Sequence, residues 1–258
     1  RGNPLADLHN ALVGRLAAAA ARRWSRALPD QVFTVVELGG GTGGTTAAVV
    51  DALAGLPVRY RFTDVSGRFL EAAQARFGGG PLPFDVARLD LEQDLAAQGL
   101  ALGVADVVIA ANVVHATRSI RDTLARAASL LKPGGVLLLL EMIRPQDLAT
   151  LTFGLTPGWW AFEDEARRLP HGPLLSAEGW IEALEEVGFT AGRAISVPPA
   201  ADLPAEQAVI FAERAPWCAA GAAGRAVEAA PTPTAAPAPA TTAGSSWLVG
   251  LFSAVTGV

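Results

Sequence analysis

The segment "VVELGGGTGGTT", Val35 to Thr46, is the most informative part of the sequence. It places five glycines in six residues, directly after a run of apolar and β-branched positions. Glycines at the end of a strand let a ligand approach the backbone closely, and the helix that follows presents free N–H groups. The segment therefore predicts a strand, a ligand-binding loop and a helix, in that order.

Strand-like and helical stretches alternate on both sides of this segment. The runs "ADVVIAAN" and "VLLLLE" are almost wholly apolar, which is typical of a parallel sheet covered on both faces. We therefore expect a doubly wound, Rossmann-like α/β fold with helices on both faces of a seven-stranded sheet, mostly parallel with an antiparallel C-terminal strand. The predicted strands are 32–38, 58–64, 84–90, 105–111, 136–142, 194–197 and 207–213, and the predicted helices are 8–28, 45–54, 67–77, 91–97, 119–131 and 177–187.

The composition narrows the class of protein. The chain has 258 residues, of which 51% are hydrophobic, enough for one sizeable core, and a net charge of -5 argues against a nucleic-acid partner. No run reaches the roughly 18 to 20 apolar residues of a membrane span, so no membrane partner is predicted. The single cysteine, Cys218, favours a reducing, cytoplasmic compartment. No His, Cys and acidic cluster has ligand-like spacing, so no metal site is predicted.

The glycine loop fits two ligand-binding patterns. Gly39, Gly41 and Gly44 spell G-x-G-x-x-G, the dinucleotide fingerprint. Gly39, Gly41 and Gly43 also spell G-x-G-x-G. With Glu37 two residues earlier, this becomes E-x-G-x-G-x-G, the usual form in enzymes that use S-adenosylmethionine (SAM). A carboxylate suits SAM, which carries an ammonium and a sulfonium but no phosphate, so Glu37 and the three glycines are predicted to bind it.

Further cofactor-binding residues are predicted where the following strands end. Asp64, in "FTDVS", is placed to hold the ribose hydroxyls of either cofactor. Asp90, in "RLDLE", is expected to take the adenine amino group, with Leu91 against the ring, and an acid here is more expected for SAM than for NAD. Asn112, just after the fourth strand, is predicted to lie at the same cofactor-binding edge.

His115 and Glu141 are the predicted catalytic residues. His115 follows the fourth predicted strand, and Glu141 lies near the end of the fifth, so both are expected at the functional edge of the sheet. A carboxylate beside an imidazole fixes its tautomer and makes it a better base. A structural role for His115 is the competing interpretation.

Six blocks of the sequence, between about Val32 and Phe189, resemble the methyltransferase domains embedded in type I polyketide synthases. "ANVVHAT" and "FGLTPGWW" are specific to that family rather than to methyltransferases in general. The resemblance implies SAM as cofactor and a catalytic pair at His115 and Glu141. In chain order the blocks are "ELGGGTGGTT", "YRFTDVSGRFLEAAQARF", "RLDLEQDLAAQG", "ADVVIAANVVHATRSIRDTL", "LLKPGGVLLLLE" and "LTFGLTPGWW…GPLLS".

The resemblance also implies a reaction and partners. We expect methyl transfer from SAM to a polyketide intermediate held by phosphopantetheine on an acyl carrier protein, at the α-carbon of a β-ketoacyl thioester, with His115 as the base. Methylation of a β-hydroxyl or enol oxygen is the alternative, and an inactive structural domain is a second. Neighbouring synthase domains are expected in the same polypeptide, because the only methionine is Met142.

Composition and the resemblance together predict the domain boundaries and the residues that contact the acceptor. Residues 1–31 are interpreted as the remnant of a helical lid, because only 38 residues precede Gly39 and the carbon-methylating members of the family usually have a long lid there. Residues 32–214 are the predicted catalytic core, and 215–258 are an Ala/Pro-rich linker with an apolar tail. Trp159 and Trp160 are predicted to wall the tunnel for the acyl chain.

Overall fold

The structure is a computed structural model that describes residues 3–200 and 202–215. The predicted segment 215–258 lies outside the described residues, apart from Ala215. The strands are β1 (Phe33–Leu38), β2 (Val58–Asp64), β3 (Phe84–Arg88), β4 (Ala105–Ala111), β5 (Leu131–Met142), β6 (Phe189–Ser196) and β7 (Gln207–Arg214). The helices are α1 (Pro4–Ala27), α2 (Gly44–Leu53), α3 (Gly67–Phe77), α4 (Ile120–Leu130), α5 (Asp147–Phe153) and α6 (Ala177–Glu186).

The strands form one seven-stranded sheet in the order β3-β2-β1-β4-β5-β7-β6. The first five strands pair in parallel, and β7 runs antiparallel to both β5 and β6. The predicted fold class is confirmed, including the antiparallel C-terminal strand. Within the described residues, no helix is long and apolar enough to cross a bilayer.

Successive residues of the central strands supply two separate cores, because side chains alternate across a sheet. Val35 and Val107 face α1 and α2, whereas Val36 and Val108 face α4 and α6. Each central strand is therefore buried on both faces, which explains its almost continuous apolar sequence. This construction leaves the strand ends as the places where polar side chains can meet.

Four predictions about local structure are corrected. Residues 91–97 form turns rather than a helix, because Gln98 bonds the backbone N–H and C=O of Asp90 in place of helical partners. β5 begins at Leu131 rather than 136, so "KPGG" lies inside the strand, and β6 begins at Phe189 rather than 194. Between residues 143 and 176, where no helix is predicted, the structure contains the short helix α5.

Helix α1 packs closely on α2, the helix that follows the glycine loop. At Gly14 in this contact, an added Cβ would lie 2.7 Å from the backbone oxygen of Ala48. Asn10 also accepts a hydrogen bond from Thr45 Oγ1 at 2.7 Å, beside the N-terminus of α2. Residues 1–31 thus include a helix that packs against α2, the helix that follows the glycine loop. Their relation to a lid remains a prediction.

We expect Gly14→Ala to destabilise the protein by about 1–3 kcal/mol, the usual cost of overpacking a core. The new methyl group would press on the backbone of α2, and this outweighs the gain in helix propensity of up to about 1 kcal/mol. Gly67→Ala is the matched control, since nothing lies within 4 Å of its Cβ position. Urea unfolding of both variants tests this, and equal stability for the two would contradict the packing of α1 on α2.

Candidate active site

The glycine loop connects β1 to α2 with an unusual backbone. Gly39, Gly41 and Gly43 have φ of 59°, 55° and 73°, values that residues other than glycine rarely adopt. A Cβ at Gly39 would lie 2.3 Å from Val113, and one at Gly40 would lie 2.1 Å from Phe62. At Gly41 the nearest atom would be 4.0 Å away. The loop is therefore packed against the protein on both flanks and open at Gly41, as a site for a bound ligand requires.

Asp64 ties the end of β2 to this loop. Its Oδ2 accepts the N–H of Gly41 at 2.9 Å, and its Oδ1 accepts the N–H of Ser66 at 2.8 Å. The residue is buried, and both of its carboxylate oxygens bond the backbone. Asp64 thus holds the open point of the loop in place, and contact with a ribose remains a prediction.

Glu37 lies inside the core below the loop and is only 1% exposed. Its Oε2 accepts hydrogen bonds from Thr46 Oγ1 at 2.7 Å and from the Tyr60 hydroxyl at 2.8 Å. Its Oε1 has no partner among the described residues. Burial raises the pKa of Glu37 from 4.5 to about 7, and the nearby Asp64 charge adds to this, whereas the two hydroxyls oppose it. Glu37 therefore links β1 to α2 and β2, and contact with a ligand remains a prediction.

The other predicted cofactor residues lie at the same edge of the sheet. Asp90 is half-buried, and its Oδ1 accepts the N–H of Glu92 at 2.9 Å. Leu91 is buried in the core on the α4 side. Asn112 is exposed directly after β4, with a φ of 52°. Such a left-handed backbone is uncommon outside glycine and concentrates at functional sites.

His115 and Glu141 meet as predicted from their strand positions. His115 Nδ1 lies 2.6 Å from Glu141 Oε2, and the two residues are 3% and 0% exposed. The other carboxylate oxygen, Oε1, accepts the N–H groups of Val114 at 3.0 Å and Val113 at 3.3 Å. Because Nδ1 donates to the carboxylate, Nε2 is the ring nitrogen that can accept a proton.

A cavity of about 530 Å³ opens beside this pair. His115 lines it, and the Trp159 ring stands edge-on to the imidazole, with centroids 5.7 Å apart. Phe153 stacks on Trp159 at 5.9 Å. The other lining residues include the apolar Met142, Leu148 and Ala149 and the polar Asn112, Gln146, Thr152, Thr156 and Gln207. A mostly apolar cavity with a few polar groups and a histidine suits a small organic acceptor.

The two predicted tryptophans differ in position. Trp159 is buried and lines the cavity. Trp160 is 49% exposed, is absent from the cavity wall, and donates from Nε1 to the Gly154 carbonyl. The structure therefore brings Trp159, but not Trp160, to the predicted base.

Arg168 is not among the site residues predicted from the sequence. The residue is 7% exposed, and its Nη1 donates to the backbone carbonyl of His115 at 2.6 Å. No pattern in the sequence distinguishes it from Arg167, which pairs with Glu186 near the surface.

Among the described residues, no group of three or more His, Cys, Asp and Glu side chains could hold a metal ion.

Comparison with known proteins shows which kind of domain the chain resembles. The family profile described as "Methyltransferase domain" matches residues 36–137. A polyketide synthase of Burkholderia thailandensis, ThaQ, is 41% identical over 197 residues, which are 73% of this chain and 9% of that synthase. The chain thus spans less than a tenth of the length of this curated relative.

Two solved structures share both fold and sequence with the chain. The DszA carbon methyltransferase is 39% identical with a TM-score of 0.68, over 74% of this chain and 50% of that one. The trans-methyltransferase CalH, solved in complex with SAH (S-adenosylhomocysteine), is 33% identical with a TM-score of 0.66, over 76% of this chain and 54% of that one.

We expect Glu37 to make the protein less stable as the pH rises. The folded protein keeps the Glu37 proton up to about pH 7, whereas the unfolded chain loses it near 4.5. The folded state therefore binds more protons between these values, and the free energy of unfolding falls there as pH rises. Since one pKa unit corresponds to about 1.4 kcal/mol, the loss should be about 3 kcal/mol.

Urea unfolding of the wild type and of Glu37→Gln, measured from about pH 5 to about pH 8, tests this linkage. The neutral amide has no proton to lose, so its stability should decline less over the same range. Parallel curves for the two proteins would show that Glu37 is charged throughout and that the burial argument is wrong.

Proposed function

The chain contains a methyltransferase domain of the polyketide synthase type, and we propose that it methylates the α-carbon of a β-ketoacyl thioester held on an acyl carrier protein. The observation that carries the proposal is the buried His115–Glu141 pair, whose histidine lines a cavity at the same sheet edge as the glycine loop. The similarity to a carbon methyltransferase favours carbon over oxygen as the acceptor.

SAM is the proposed methyl donor, and the residues present fit it. When bound, SAM supplies an electrophilic methyl group on its sulfonium sulfur. The open position at Gly41 and the exposed Asn112 offer polar backbone and side-chain contacts at one edge. The N-terminus of α2, which no side chain caps among the described residues, adds N–H groups beside the same loop. The residues proposed to hold SAM are Glu37, Gly39, Gly41, Gly43, Asp64, Asp90, Leu91 and Asn112.

His115 is the proposed general base. Its Nε2 accepts a proton from the α-carbon, which two flanking carbonyl groups make acidic. Glu141 holds the ring through Nδ1 and stabilises the imidazolium that forms. Two backbone N–H groups hold Glu141 in turn, so the carboxylate has its position before the acceptor enters. An oriented base of this kind contributes typically 10²–10⁴-fold in rate.

Trp159 and the cavity place the acceptor against the base. The indole ring occupies space next to the imidazole, so the acceptor approaches His115 from the cavity. Leu148 and Phe153 line the cavity and are exposed as well, which offers an apolar path for an acyl chain and its phosphopantetheine arm. The proposed partners are therefore the acyl carrier protein and neighbouring synthase domains of the same polypeptide.

We expect His115→Asn to lower methyl transfer by about 10²–10⁴-fold, because asparagine cannot accept the proton. Glu141→Gln should lose less, since an amide still bonds the imidazole but cannot stabilise its charge. His171→Asn is the matched control, because His171 is exposed and does not line the cavity. SAM affinity should change little in all three variants.

Mass spectrometry of a β-ketoacyl and a β-hydroxyacyl carrier protein, each incubated with SAM and the protein, measures this. Methylation of the β-ketoacyl carbon by the wild type and by His171→Asn, with a much lower rate in His115→Asn, supports the proposal. An O-methyl product would show that the methylated atom is an oxygen rather than the α-carbon. No product from either carrier protein would indicate an inactive domain. Full turnover by His115→Asn would exclude His115 as the base.

We expect Asp64→Ala to weaken SAM binding by about 1–3 kcal/mol, the usual cost of losing hydrogen bonds to a charged group. The variant would lose the bond to the Gly41 N–H as well as any contact with the ribose. Calorimetric titration with SAM measures the effect, and Asp51→Ala, an exposed aspartate on α2, is the control. Unchanged affinity in Asp64→Ala would remove Asp64 from the site.

A further inference from the structure

We infer that Arg168 is a positioning residue, whose buried guanidinium holds the turn that carries His115 against the segment that carries Trp159. The inference rests on the proposed role of His115 as the base. It adds a second support for the imidazole, on the backbone side of the turn rather than at the ring.

The hydrogen bonds of Arg168 converge on the turn between β4 and α4. Nη1 donates to the carbonyl of His115 at 2.6 Å, and Nη2 donates to the carbonyl of Thr117 at 2.7 Å. Nη1 also donates to the carbonyl of Pro173 at 2.7 Å. One planar group thus joins both sides of the 3-10 turn Val114–Ala116 to the segment that follows the cavity wall.

Asp164 extends this connection to the start of α4. Its Oδ1 accepts from Arg168 Nε at 2.5 Å, and its Oδ2 accepts the N–H of Ile120 at 2.7 Å. The Phe162 ring lies 5.0 Å from the guanidinium carbon. The carboxylate balances the buried charge, and the ring packs against the guanidinium.

Arginine suits this task because its donors form a rigid planar fork. Burial lowers the pKa of Arg168 below its ordinary value, whereas the Asp164 carboxylate opposes this and keeps the charged form favourable. Burying a cation is costly. Here the charge is surrounded by carbonyl oxygens of the catalytic turn rather than by solvent, so its orientation determines where that turn lies.

His115 is therefore held from two directions. Glu141 holds Nδ1 of the ring, and Arg168 holds the carbonyl of the same residue. If Arg168 is lost, the turn can shift relative to Trp159 while the pair with Glu141 persists. A displacement of about 1 Å at a reacting group can cost on the order of 10²-fold in rate.

The test compares Arg168→Met with Arg167→Met in the protein with its carrier-bound acceptor. Arg168→Met should lower kcat by about 10–100-fold and leave the KM for the acceptor and the Kd for SAM nearly unchanged, because orientation rather than binding is lost. Arg167→Met should leave all three unchanged, since Arg167 contacts Glu186 near the surface. Arg168→Lys, which keeps the charge but not the fork, should fall between the wild type and Arg168→Met.

Chemical rescue separates positioning from general instability. In Arg168→Ala, millimolar guanidinium chloride should restore part of kcat, whereas the same concentration of sodium chloride should not. Imidazole ¹⁵N signals of His115 should change in Arg168→Ala and return with guanidinium, a readout that needs no turnover. Wild-type kcat in Arg168→Met, or unchanged ¹⁵N signals in Arg168→Ala, would overturn the inference.

Failure of the proposed function gives a different result. An inactive wild type whose His115 signals still respond to Arg168→Ala and to guanidinium would refute the function and leave the positioning role supported. An active wild type with no response to the loss of Arg168 would refute only the positioning role. Loss of SAM binding in Arg168→Ala without rescue by guanidinium would show that Arg168 only stabilises the fold.

Discussion

The hydrogen bond between His115 and Glu141 depends on β4 and β5 being parallel neighbours that end at the same edge of the sheet. The register pairs Ala111 with Leu140, so the carboxylate of the next residue reaches the turn after β4. The same carboxylate accepts two backbone N–H groups of that turn. The Glu141 carboxylate therefore orients the His115 imidazole and also holds the backbone of the turn that carries His115.

A second carboxylate has a comparable role at the glycine loop. Asp64, at the end of β2, accepts the N–H of Gly41, just as Glu141 accepts an N–H of the turn after β4. Below the loop, Glu37 is buried and joined to Thr46 and Tyr60. The carboxylates of Glu37, Asp64 and Glu141 thus accept hydrogen bonds from backbone N–H and hydroxyl groups of the protein itself. Their bonds give the loops fixed shapes, and a ligand meets surfaces that are already organised.

The sheet and the meeting of His115 with Glu141 could be predicted because they depend on local patterns: apolar strands, and polar residues where those strands end. The exposure of Trp160 could not, because it depends on how a loop packs across the cavity. Arg168 was missed because its bonds to the turn at His115 and Thr117 span about 50 residues, and neighbouring charged residues look alike in sequence. The turns at 91–97 depend on the side chain of Gln98, which a helical pattern does not reveal.

Loss of deuterium from the α-carbon of a carrier-bound β-ketoacyl thioester would show whether His115 removes the proton. The thioester, deuterated at that carbon, is incubated in ordinary water with the protein and S-adenosylhomocysteine, which has no methyl group to give. Mass spectrometry follows the exchange. We predict that the wild type accelerates the loss above the spontaneous rate and that His115→Asn does not. Equal acceleration by both proteins, or acceleration by neither, would contradict this mechanism.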